Sequence, residues 1–286
     1  MSGSISRPPA VAGTFYSDDP VVLRREIEGY LAQVQTPAIE ESGLVALVVP
    51  HAGYCFSGAV AADAYRLIVG QNFDLVVVVA PTHHHYFEGV SIYSVGNYTT
   101  PLGEVEVDCD LAVELISKYS EIDFVPEAHR FEHSLEVQLP FLQVALGDFT
   151  LLPMIMGQQG WSQAVKLAEI VAGLASGRRL LLIASSDLSH FHSAIQAGQL
   201  DRRIVEAVAA FDPVAFWSLI ENHQAEACGA GPLLSVMLAA QKIGADRAQI
   251  LSYHHSGEVG GDNSRVVGYM SAAFYIGGQS SVVSGQ

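Results

Sequence analysis

The stretch APTHHHYFEG (80–89) places His83, His84 and His85 directly after the apolar run DLVVVVAPT (74–82). Imidazole is the commonest protein metal ligand and titrates between about pH 5 and 8, so histidines gathered at a strand end point to a metal centre or to acid/base chemistry. The pattern recurs: VVPHAGY carries His51, LLIASSDLSHFH carries Asp187 and His190, and LSYHHSGE carries His254 and His255. Eight of the eleven histidines lie at these four exits, a repetition that isolated, solvated side chains do not explain. Within the HHH run, His83 follows the Pro81–Thr82 turn and is expected to face inward, with His84 and His85 exposed or supporting it.

Two further segments carry reactive side chains. Cys228 in EACGAGPLLSV precedes a helix expected to start near Pro232. A helix N-terminus favours thiolate over thiol, which would make Cys228 a soft ligand or a nucleophile; the competing reading is a small buried apolar residue. In RFEHSLEVQLPF, helical spacing puts His133 and Glu136 on one face, either as supports for a site or substrate, or as acidic and polar residues at a helix start beside Glu132. Cys55 and Cys109 have no comparable setting and are read as structural.

The elements that must position these groups alternate between short Val/Leu/Ile runs and longer segments of helical period, the pattern of a buried sheet covered by helices on both faces. Buried strands are expected at 43–51, 74–82, 149–157, 179–187 and 249–255, with more amphipathic strands at 89–95 and 265–275 lying at an edge or pairing antiparallel. Helices are expected at 22–34, 57–69, 106–119, 132–146, 161–175, 195–224 with a break at Asp212–Pro213, and 231–243. No linker or repeat divides the chain, so residues 1–286 are read as one α/β domain with a mostly parallel or mixed sheet, frayed only at MSGSIS and GGQSSVVSGQ. Ligands of such sheets gather beyond the carboxyl ends of the strands, where the histidines fall.

Composition removes other classes. With 30 acidic against 14 basic residues and a net charge of −16, no basic patch offers a nucleic-acid surface. No apolar run approaches the roughly 20 residues of a membrane span, and the N-terminus has no signal-like apolar core, so the expected location is the cytoplasm with no membrane partner. Three cysteines without CxxC spacing fit a reducing compartment. GxGxxG, GxxxxGK[ST], GxSxG, HExxH and CxxxCxxC patterns are all missing, which excludes the nucleotide-cradle, α/β-hydrolase, zincin and radical-cluster readings. The SGEVGGDNSRVVGY segment reads as a hairpin-like connection with solvated Glu258 and Asp262.

Taken in order, RxPAVAGxFYxxDP (7–20), HAGYxFSG (51–58), PTHH (81–84), EHSLEVQLPF (132–141), SSDLSH (185–190), ACGxxP (227–232) and SGExxGDxSxVVGY (256–269) resemble the Memo family, including microbial members called AmmeMemoRadiSam system protein B. The resemblance implies a single α/β/α sandwich similar to the class III non-haem-iron extradiol dioxygenases that cleave catechol-like rings. It maps metal positions onto His51, His83 and Cys228, with Asp187 and His190 lining the same cavity. Fe(II) is the expected ion, with Cu or Zn as the others a thiolate-bearing set suits. His190 would then act as acid/base, taking a proton from a bound phenol, with Asp187 tuning or orienting it. Two functions follow: a dioxygenase-like oxidoreductase acting on a small molecule, or a non-catalytic binding or scaffold protein that reuses the cleft for a peptide, metabolite or metal ion. A zinc or iron hydrolase is a third. The family name also implies radical-SAM and AMMECR1-like pathway partners.

Overall fold

Valine runs dictate the centre of the molecule, because β-branched side chains pack well on a pleated surface that is covered on both sides. The computed structural model describes residues 5–35 and 43–277. The expected frayed ends lie largely outside these residues. The strands are β1 (Ile5–Arg7), β2 (Leu44–Val49), β3 (Leu75–Pro81), β4 (Val90–Ile92), β5 (Gly96–Thr100), β6 (Gly103–Val107), β7 (Ile122–Asp123), β8 (Thr150–Met156), β9 (Leu180–Ser185), β10 (His190–His192), β11 (Arg247–His255) and β12 (Val266–Tyr275). They form one sheet in the order β1-β5-β6-β8-β3-β9-β2-β12-β10, with β11 also on β12 and with β4 joining β8 to β7.

Neighbours β8, β3, β9 and β2 run parallel. β12 is antiparallel to both β2 and β11. The sheet is therefore mixed, and β2, β3, β8, β9 and β11 all end at the same edge.

Alternation along β3 sends its valines to two different cores. Val76 and Val78 pack with α1 (Pro20–Gln33), α2 (Tyr54–Tyr65) and α6 (Gln138–Leu146). Val77 and Val79 pack with α3 (Cys109–Lys118), α7 (Trp161–Gly173), α8 (Ala194–Ala209), α9 (Pro213–Glu221) and α10 (Ala230–Ile243). The result is an α/β/α sandwich. Three short helices, α4 (Pro126–Arg130), α5 (His133–Glu136) and α11 (Gly257–Gly260), complete the connections. The Asp212–Pro213 break falls between α8 and α9, where Asp212 caps the second helix by accepting the Val214 and Ala215 N–H groups. No helix among the described residues is long and apolar enough to cross a membrane.

Several expectations are corrected. Of the two alternatives for 265–275, antiparallel pairing holds and the edge position does not: β12 lies inside the sheet between β2 and β11, with eight of its ten residues buried. The helix expected from residue 106 starts at Cys109, because Val105 and Val107 alternate with exposed Glu104 and Glu106 in a strand that pairs with β5 and β8. The helix expected at 132–146 divides at Val137 into α5 and α6. The hairpin-like connection between β11 and β12 contains the single turn α11.

Candidate metal centre

Parallel strands deliver their exits to one place. His51 follows β2, His83 follows β3 and Asp187 follows β9, which lies between those two strands. Cys228 arrives from the α9–α10 connection, where its N–H donates to the Asp187 carbonyl (3.2 Å) and the Gly229 N–H donates to Ser186 Oγ (3.0 Å). Gln159, just past β8, holds the same turn: its Nε2 donates to the Cys228 carbonyl (2.8 Å) and its Oε1 accepts the Gly231 N–H (2.7 Å). One ligand atom from each of His51, His83 and Cys228 lies within 4.8 Å of the other two.

Hydrogen bonds fix which imidazole nitrogen faces that point. Ser185 Oγ must donate its proton to the Ser134 carbonyl (2.7 Å), and it accepts from Gln138 Nε2 (2.9 Å). Its contact with His51 Nδ1 at 2.8 Å is therefore donated by the imidazole, which leaves the His51 Nε2 lone pair free. Gln138 is locked in turn, since Nε2 also donates to the Pro50 carbonyl (3.0 Å) and Oε1 accepts the Tyr65 hydroxyl (2.7 Å). Burial, then the charges of His83 and His190, hold His51 well below the usual histidine range, so the ring is neutral. At 1% exposure it has no water to compensate a charge.

His83 is set in the same way by Glu132. Its Nδ1 donates to Glu132 Oε1 (2.9 Å), turning Nε2 toward the cluster. Burial alone would raise the Glu132 carboxyl, but the His83 hydrogen bond and charge, the Ser134 N–H and His133 together lower it to about 2. Glu132 also caps α5 through the His133 and Ser134 N–H groups (both 3.0 Å), so Oε1 is fully used, while Oε2 accepts the His83 N–H. A second group of nearby donors, His83, Glu132 and His133, is thus a hydrogen-bonded hub with no lone pair to spare on the carboxylate's Oε1.

Cys228 Sγ lies 3.1 Å from His51 Nε2. Because that nitrogen carries no proton, the thiol donates to it. Burial, reinforced by the Asp187 charge, raises the Cys228 thiol far above its ordinary value. This corrects the thiolate expected from the nearby helix: desolvation outweighs the dipole in the metal-free protein, and a bound cation would have to displace the proton. The donor set fits a divalent ion of intermediate softness, with two imidazole nitrogens and a sulfur whose proton lies between it and His51 Nε2 without the ion.

The remaining expected residues divide. Asp187 is buried and its Oδ1 accepts the His51 N–H (2.7 Å), while burial pushes its carboxyl up against the pull of the His51 N–H and of His190, His133 and His83. It does not hydrogen-bond His190. That ring is oriented by its Nδ1–H donating to the Leu188 carbonyl (2.8 Å), with Asp187 acting on it only through charge. His133 stacks on His83 at 4.6 Å and meets the Phe15 ring at a tilt, 4.9 Å away, so it lines the cleft. Glu136 does not share its role: it receives Arg7, the Tyr16 hydroxyl (2.6 Å) and the Ala10 and Val11 N–H groups, anchoring the N-terminal segment. His84 is exposed, and so is His83 although an inward position was expected of it, while His85 stacks on Phe87 and His254 and His255 pair with Glu258 rather than with the cluster. Glu132, Ser185 and Gln138 are the orienting groups that sequence reasoning passed over; two of them stand in the EHSLEVQL segment, and only its contact with distant strands reveals their use.

The family model described as Memo-like protein matches residues 7–273. A MEMO1 family protein of Methanosarcina barkeri is 39% identical over 266 residues, covering 92% of this chain and 97% of that protein. One of Methanothermobacter thermautotrophicus is 38% identical over 271 residues, covering 92% and 98%. Among solved structures, an uncharacterized protein from Escherichia coli K12 aligns with a TM-score of 0.49 and 15% identity, covering 82% of this chain and 100% of that one.

Proposed function

This chain belongs to the Memo-like protein family, and on that premise we propose that it binds one divalent metal ion through His51, His83 and Cys228 and takes a small molecule into the cleft beside it for oxidative chemistry. The observation that carries the reading is the shared reach of three ligand atoms, within 4.8 Å of one another. Fixed tautomers support it, since His51 and His83 both present Nε2. Fe(II) is the ion proposed first, with Cu or Zn as the alternatives the same donors suit; such an ion would supply Lewis acidity and, for iron or copper, electron transfer.

The protein's own residues do the rest. Ser185 and Glu132 keep both imidazoles aimed, and Cys228 gives up its proton on ligation. His190, with Nδ1–H committed to Leu188, keeps Nε2 to accept a proton from a hydroxyl of the bound molecule. His133, packed against both His51 and His83, extends with Phe15 as an aromatic wall beside the cluster.

The test is anaerobic reconstitution with Fe(II), metal analysis of wild type and Cys228→Ser, and oxygen uptake with a panel of catechols. One metal per chain, lost or strongly weakened in Cys228→Ser, with catechol-dependent uptake is the expected result. Failure of the wild type to hold stoichiometric metal overturns the metal reading. Stoichiometric metal without uptake by any member of the panel would favour the non-catalytic binding protein.

A further inference from the structure

Phe191 adopts φ 63°, in the left-handed region that a bulky side chain enters only under constraint. Among the described residues two other non-glycine residues do so, Phe211 and His223, and both follow the end of a helix, where their N–H groups close the last turn. Phe191 closes no helix. Nor does burial hold it, because it is 61% exposed. It is the extra residue of a bulge in β10, where His190 faces Val267 and His192 faces Val266. In a regular strand its ring would point away from His190; the bulge instead brings the two rings to 5.7 Å, nearly perpendicular. The backbone distortion therefore re-aims an exposed aromatic ring to the side of the acid/base histidine.

That ring carries an arginine. The Arg265 guanidinium lies 5.2 Å over it, and among the described residues it enters no hydrogen bond or ion pair. The nearby acid, Asp262, has Oδ1 occupied by the Ser264 N–H and hydroxyl, and these bonds, then the Arg265 charge, lower its carboxyl, but no hydrogen bond joins the two side chains. A chain with a net charge of −16 thus keeps the N–H donors of a guanidinium without a hydrogen bond over the ring that lies next to His190.

Resting on the cleft reading above, we propose that Phe191 and Arg265 form a recognition element for the carboxylate of an aromatic small molecule whose hydroxyls face His190 and the His51–His83–Cys228 cluster. The planar fork matches a carboxylate bidentately, and the exposed Phe191 ring gives an attached aromatic ring an apolar surface. The distorted bulge is what keeps both in place.

The experiment compares 3,4-dihydroxybenzoate with catechol by titration calorimetry on wild type, Arg265→Gln and Phe191→Gly, each with and without Co(II). Phe191→Gly keeps the backbone conformation accessible while removing the ring. The wild type is expected to bind the benzoate about tenfold more tightly than catechol, as one charge-assisted contact allows. Arg265→Gln should bring that ratio below about twofold while leaving catechol affinity unchanged, whereas Phe191→Gly should weaken both compounds, since it removes the surface their shared ring lies on, and should lower the ratio as well. Equal wild-type affinities, or a ratio insensitive to Arg265→Gln, would overturn the proposal, as would inorganic phosphate displacing the benzoate at equal concentration. Thiolate-to-cobalt absorption reports the metal reading separately: its absence in wild type counts against the metal centre, while the ratio on metal-free protein still decides the carboxylate element.

Discussion

Replacing Glu132 by glutamine probes how the metal centre is held without touching a proposed ligand. The carboxylate accepts His83 Nδ1–H at 2.9 Å, and its other bonds run to backbone N–H groups of His83, His133 and Ser134. Glutamine keeps the size, yet its NH2 end is a donor facing donors, so one side of this hub loses its acceptor. His83 can then flip its tautomer or rotate, and Nε2 no longer faces the cluster reliably. Loss of such an orienting carboxylate costs 10–100-fold in metal affinity, about 1.4–2.7 kcal/mol. The assay is competition for Co(II) or Zn(II) against a chelator of known affinity, with circular dichroism showing that the variant is folded. Affinity within twofold of wild type in a folded Glu132→Gln protein would refute the orientation argument, and with it the claim that His83 Nε2 is the ligand atom.

Two further outcomes follow from buried groups away from the cluster. His129 is fully buried between the Ser91 and Tyr98 hydroxyls (2.9 and 2.7 Å), and burial, then Arg7, lowers it to about 3 from the usual 6.5. The unfolded chain therefore binds a proton that the folded chain refuses between pH 6.5 and about 3, so stability is intact above the window and falls as pH drops through it. Going from pH 6.5 to 5 should remove about 1.6 kcal/mol through this group, and His129→Gln should shallow the acid slope by up to about 1.4 kcal/mol per pH unit in urea unfolding; identical slopes would contradict the assignment. At Gly268, an added Cβ would sit 1.9 Å from Asp201 Oδ2, and Asp201 is buried and tied to the Ser189 N–H (3.0 Å) and Tyr253 hydroxyl (2.8 Å). Gly268→Ala should cost about 3 kcal/mol in urea unfolding, less than additively with Asp201→Ala; a loss under about 0.5 kcal/mol would show that the carboxylate moves freely.

Local patterning carried much of the architecture. Runs such as LVVVV in β3 are apolar at every position because both faces are covered, and that is written in consecutive residues. Helix ends were equally local, as at Asp212–Pro213, where a cap and a fixed φ coincide. Weak signals misled where length was short: five residues of β6 alternate in period two, too few to outweigh the helix that follows. For β12, Gly, Ser and Tyr dilute the apolar run and leave an edge position and antiparallel pairing equally open; the fold takes the second, with a strand on either side.

By itself the sequence determined that histidines crown several strand ends and that a buried sheet must bring those ends to one edge, since both facts depend on residues adjacent in the chain. Which lone pairs meet was decided only by the fold. Cys228 reaches His51 across 177 positions, and Glu132 reaches His83 across 49. The tautomer of His51 depends on a serine whose single proton is already committed to another segment. The protonation of the cysteine followed from burial, not from the helix beside it, because desolvation is a property of everything packed around a sulfur and no short stretch of chain contains that information.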